Sequence, residues 1–120
     1  MITLRQEAIT SDGRIKRWCR PGGGVVLYQM RLALDGDPSE VSAMQQVIYR
    51  VAGPDGVIEV TATRPGRNFA VALWAMPPAA VTVVLSSPDG VVRELEDTLT
   101  LEPPVDDGAT YEDIDLRNSF

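Results

Sequence analysis

The chain has 120 residues, 44% of them hydrophobic and 23% charged, which is the composition of one globular domain rather than of a disordered or membrane-spanning chain. A formal net charge of −6 argues against a nucleic-acid binder, because neutralising phosphates needs a basic face. The lack of histidine removes the commonest general base and metal ligand, and the single Cys19 can form neither an intramolecular disulfide nor a thiolate zinc site.

The start, Met-Ile-Thr-Leu-Arg-Gln-Glu-Ala, lacks the basic, apolar and small-residue regions of a secretory signal. Apolar runs reach only about five residues against the ~20 of a spanning helix, so a cytoplasmic protein that does not enter membranes is expected. Ile2 to Thr10 and Arg14 to Trp18 read as a hairpin around Ser11-Asp12-Gly13, followed by a flexible joint at Pro21-Gly22-Gly23-Gly24. Residues 1–24 are therefore expected to be an extension or added hairpin. Cys19 lies beside Trp18, Arg17 and Arg20, but no base is available to activate it.

From Val25 to Leu34, Val26, Tyr28, Met30, Leu32 and Leu34 alternate with residues such as Gln29 and Arg31, the signature of a strand with one buried face. Asp35-Gly36-Asp37-Pro38 supplies a turn; these carboxylates, like Asp106 and Asp107, do not match a twelve-residue calcium loop. Pro38 to Met44 is either one helical turn or a loop. Val47, Tyr49 and Val51, then Ile58, Val60 and Ala62, alternate across a turn at Gly53-Pro54-Asp55-Gly56 and predict two more strands.

After a turn at Arg64-Pro65-Gly66, Phe69, Val71 and Leu73 alternate with Asn68, Ala70 and Ala72. Trp74 falls on the opposite parity, so either it faces outward or a bulge turns it in. Met76-Pro77-Pro78 separates this strand from the valine-rich Val81 to Leu85, and Ser87-Pro88-Asp89-Gly90 leads to a last strand carrying Leu95, Leu99 and Leu101. The paired prolines Pro103 and Pro104 end it. Strands at this spacing predict an all-β, immunoglobulin-like β-sandwich of about seven or eight antiparallel strands over residues 25–102.

Residues 103–120 form an acidic tail that also carries Tyr111, Ile114, Leu116 and Phe120; it is either disordered or a short docking motif. Met1 to Gly24 holds five basic residues and two acids, whereas Leu101 to Phe120 holds six acids and Arg117. Either the oppositely charged ends meet, or one of them docks a partner of opposite sign.

Val25 to Gly36, Val47-Ile-Tyr49-Arg-Val51, Arg67-Asn68-Phe69-Ala-Val71, Val81-Thr-Val-Val-Leu85, Asp89-Gly90 and Leu99-Thr-Leu101 follow one another as the strands and turns of the YEATS family do. Over about residues 25–101 the chain resembles the family's bacterial branch, the prokaryotic YEATS-like domains. The resemblance implies an immunoglobulin-like sandwich whose tip loops bind a partner, acyl-lysine in the eukaryotic members. The aromatics that hold acyl-lysine there are replaced here by Val51 to Gly56 and by Trp74 to Ala79, which turns the expectation towards a protein or peptide.

No catalytic set, cofactor or metal site emerges from the residues. The expected function is that of a non-catalytic bacterial interaction module, the bacterial origin suggested by ten arginines to one lysine in an Ala- and Val-rich chain. Its partner-binding tip would be formed by Ala52, Gly53, Pro54 and Asp55 with Trp74, Met76, Pro77 and Pro78. The alternatives are a self-assembling subunit of phage or secretion-machine type, which makes a homo-oligomer, and an acidic immunity or inhibitor protein that covers a basic site.

Overall fold

β-branched and aromatic residues in period-two runs, cut by Gly, Pro and Asp, give an order of short strands. These are β1 (Thr3–Ala8), β2 (Thr10–Ser11), β3 (Arg14–Cys19), β4 (Val26–Asp35), helix α1 (Pro38–Ser42), β5 (Gln46–Gly53), β6 (Gly56–Ala62), β7 (Val71–Ala75), β8 (Ala79–Ser86), β9 (Val92–Leu99) and β10 (Tyr111–Asp113). The computed structural model describes residues 1–11, 14–63, 67–100 and 111–113, with 10–11 and 111–113 as backbone. The turn at 64–66, Leu101 with the prolines that follow it, and the tail outside 111–113 lie beyond the described residues.

The strands form an all-β sandwich of two sheets. One sheet runs β6-β5-β8-β9, antiparallel throughout. In the other, β4 is central: β7 pairs with one side of it, while β1 and β3 share the other. The inward rows of both sheets meet in one core. Met30, Leu32 and Leu34 of β4, with Leu73 and Ala75 of β7, face Val47, Tyr49 and Val51 of β5, Val81, Val83 and Leu85 of β8, and Leu99 of β9, all buried. Each inward row matches the alternation of its strand.

Two local features differ from the sequence expectation, and a third decides between two alternatives that the sequence leaves open. First, β1 does not form a hairpin with β3. It runs antiparallel to β4 from Thr3 opposite Asp35 to Ala8 opposite Met30, and β3 resumes on the same side at Arg17 opposite Tyr28. The intervening β2 folds back on the start of β3, pairing Thr10 with Ile15, so the two strands form one interrupted lane along β4. Burial explains the choice. Pairing with β4 puts Ile2 at 2% exposure in the core and packs Leu4 and Ala8 against it, which a separate hairpin could not do.

Second, Phe69 is fully buried but does not reach the core as part of a strand. Asn68 and Phe69 both have positive φ, 52° and 55°, and β7 begins two residues later at Val71. The left-handed turn is held on both sides: Leu34 N–H donates to the Asn68 carbonyl at 2.9 Å, and the buried Tyr49 hydroxyl donates to the Phe69 carbonyl at 2.8 Å. Burial of the ring and these two bonds offset backbone strain that a phenylalanine rarely accepts.

Third, Pro38–Ser42 is a helical turn rather than a loop. The Asp37 carboxylate caps it, accepting from Ser39 N–H at 2.8 Å and from Ser39 Oγ at 2.6 Å, and Val41 is buried beneath it. The oppositely charged ends of the chain meet in register, because β10 runs parallel to β3 with Glu112 opposite Lys16 and Asp113 opposite Arg17.

Candidate functional site

Strand direction decides which loops share an end of the sandwich. β5 runs on to Gly53, and its Val51 lies opposite Val81 near the start of β8, so the turn at 53–56 and the segment before β8 reach the same end. β7 finishes with Ala75 opposite Tyr28, beside the start of β4. Accordingly Met76, Pro77 and Pro78 and the loop 20–25 also emerge there. The eight residues named from the sequence, Ala52, Gly53, Pro54, Asp55, Trp74, Met76, Pro77 and Pro78, are thus gathered at or next to one tip.

The local chemistry of this tip is that of tight reversal. Gly53 pairs with Gly56 across the Pro54–Asp55 turn, and a Cβ on Gly53 would stand 2.9 Å from the Gly56 carbonyl oxygen, so only glycine fits. Ala52, Pro54, Asp55 and Pro78 are exposed, whereas Gly53, Trp74, Met76 and Pro77 are half-buried. The Pro77–Pro78 peptide is cis. Next to the turn, Gly22, Gly23 and Gly24 all take positive φ in open space, and the Arg20 guanidinium donates to the Asp55 carboxylate. That ion pair ties the glycine loop to the β5–β6 turn, a connection that no sequence pattern announces.

Trp74 lies on the outer face. The register from Tyr28–Ala75 through Gln29–Trp74 to Met30–Leu73 is unbroken, so no bulge intervenes and the indole stands opposite the parity of the buried Leu73 and Ala75. The same face holds a second tryptophan. Trp18 pairs with Leu27, and Leu27 shares parity with Gln29, so Trp18, Leu27, Gln29 and Trp74 line one half-buried patch across β3, β4 and β7 next to the tip. Trp18 was not singled out by sequence reasoning. A signal was present, since it is the one aromatic in the strand Arg14–Cys19, beside Arg, Lys, Ile and Cys, but its neighbours depend on pairing between distant segments. Beyond the patch Arg31 donates to Glu7 at 3.2 Å.

Elsewhere the polar groups serve local structure. Asp89 accepts from Ser87 Oγ and from Val91 N–H at 3.1 Å, which holds its carboxyl below the usual carboxylate range. The Ser39 hydroxyl and then its backbone N–H do the same for Asp37. Burial pushes the Tyr49 phenol up, so it stays a donor. Cys19 is exposed. Among the described residues no three His, Cys, Asp or Glu side chains are grouped to hold a metal, and no helix is long and apolar enough to cross a membrane. Among the described residues there are open clefts of about 390 Å³ beside Thr82 and Glu96 and of about 210 Å³ between Leu4 and Leu95.

Comparison of the chain with protein-family models, with curated proteins and with solved structures returns no match.

Proposed function

We propose that the protein is a non-catalytic interaction module of a bacterial YEATS-like, immunoglobulin-like type, acting in the cytoplasm, that binds a protein or peptide partner at its tip. The observation that carries this reading is the convergence of the 52–55 turn, the Met76-Pro77-Pro78 loop and the Arg20–Gly24 loop beside the Trp18–Leu27–Trp74 patch. Half-buried tryptophans next to exposed turns suit a partner interface, because an indole contributes a large contact area with few rotatable bonds and its ring N–H can still bond. The rigid sheet beneath positions them; the loops supply the contour.

The reading is tested by affinity capture from the native cell extract with wild-type and Trp74→Ala baits, followed by titration of the purified captured protein. A partner retained by wild type and lost by Trp74→Ala, with unchanged folding of the variant, supports the proposal. Equal binding by both baits contradicts it. In the same format acetyl- and crotonyl-lysine peptides should leave the Trp74 and Trp18 indole NMR signals in place.

A further inference from the structure

The two edges of the β6-β5-β8-β9 sheet are treated differently. At β9 the edge is guarded. Gln6 Nε2 donates to the Thr98 carbonyl at 3.0 Å and Thr100 N–H donates to Gln6 Oε1 at 2.9 Å, so a side-chain amide from the other sheet occupies the hydrogen-bonding groups where a further strand would pair. The rest of β9 carries Arg93, Glu94, Glu96 and Asp97, all exposed. Charges along an edge discourage strand addition.

Among the described residues the β6 edge has none of these guards. Gly56–Ala62 runs seven residues with unbroken register against β5, without Lys, Pro or bulge, and it is rich in β-branched residues. Its one charge, Glu59, is neutralised from within the sheet by Arg50 Nε at 2.9 Å. Val57 is 69% exposed, and Ile58 and Val60 are half-buried. The pairing pattern shows which backbone groups are free. Gly53 and Gly56 flank a two-residue turn and so form a hydrogen-bonded pair; by alternation Ile58, Val60 and Ala62 bond to β5, and Val57, Glu59 and Thr61 aim their N–H and C=O groups outward.

We propose that β6 is a self-association edge, pairing antiparallel with β6 of a second copy about a two-fold axis at Val60. The occupant is a second copy because the strand complements itself in that register. Glu59 then exchanges backbone bonds with Thr61 of the other copy, so outward-aimed groups meet outward-aimed groups. Val60 meets its own equivalent, Ile58 meets Ala62, and the inward apolar rows of the two sandwiches become continuous. A register centred on Glu59 sets two carboxylates opposite each other, and one centred on Ile58 runs into the Pro54–Asp55 turn. This edge belongs to the other sheet from the Trp18–Trp74 patch, which lies across β3, β4 and β7.

The charge across the pair gives the test. Sedimentation equilibrium of the full chain, from low micromolar to near-millimolar concentration, should show a monomer–dimer equilibrium. Thr61→Glu places a carboxylate opposite Glu59 of the other copy and should weaken the dimer; Thr61→Lys places an ammonium there and should tighten it. Each change acts twice across the two-fold, roughly two- to thirty-fold in dissociation constant. Glu94→Lys on the guarded β9 edge should leave the constant unchanged. Opposite shifts for the two Thr61 variants, with melting temperatures like wild type, support the pairing. A wild-type monomer at every concentration, or a dimer indifferent to both changes, overturns it.

Discussion

At the end of the sandwich that holds α1, the chain is tied to its core: Tyr49 and Leu34 bond the strained Asn68–Phe69 turn, Asp37 caps the helix, and Phe69 is fully buried. At the opposite tip, a glycine run in open space and a proline turn are joined by one exposed ion pair, Arg20 to Asp55. At the first end, loss of the Tyr49 hydroxyl leaves the Phe69 carbonyl unsatisfied in the interior, whereas the tip has groups that water can replace. Stability is thereby concentrated away from the surface assigned to binding, and substitutions at the two ends should separate in measurement.

The largest expected effect is Phe69→Ala, which removes a fully buried ring while keeping the strained backbone. It should cost about 3–5 kcal/mol in urea unfolding. Tyr49→Phe deletes only the hydroxyl, yet leaves the buried Phe69 carbonyl without its donor. A loss of about 1–3 kcal/mol is expected, and a loss near zero would mean that the turn is held by packing alone.

Acid should act on the end that holds α1 through two exposed carboxylates. Asp37 and Asp89 have folded pKa values below their ordinary ones, so the stability they contribute is present above the unfolded value of ~3.9 and is lost as pH falls through the lower folded values. The double variant Asp37→Ala, Asp89→Ala should show a shallower fall of the urea midpoint below that pH than wild type; identical slopes would assign acid unfolding to other carboxylates. At the tip, Arg20→Ala should change stability by only about 0–1 kcal/mol, because both partners are partly exposed to water. A larger loss would make the glycine loop part of the folded core.

Local alternation made the strands from Val26 to Leu99 legible, because a strand with one buried face writes its period into the sequence whatever its neighbours are. The turns were legible for a similar reason: Gly, Pro and Asp satisfy backbone geometry on the spot, as the Ser87–Gly90 turn does through Asp89. What depended on distant partners was not. The pairing of β1 with β4, the left-handed approach of Phe69, and the sharing of one face by Trp18 and Trp74 are set by contacts between segments far apart in the chain. The eight tip residues lie at or next to one end because the antiparallel order of β5, β7 and β8 follows from short turns, whereas Arg20 reaches that end only through the β3–β4 connection, which no local pattern marks.

The most direct test of the division between a stabilising end and a binding tip is to measure melting temperature and binding of the captured partner on the same preparation of Trp74→Ala. The account predicts a melting temperature within about 4 °C of wild type and loss of the partner. A variant that melts far below wild type, or that keeps its partner, would contradict it.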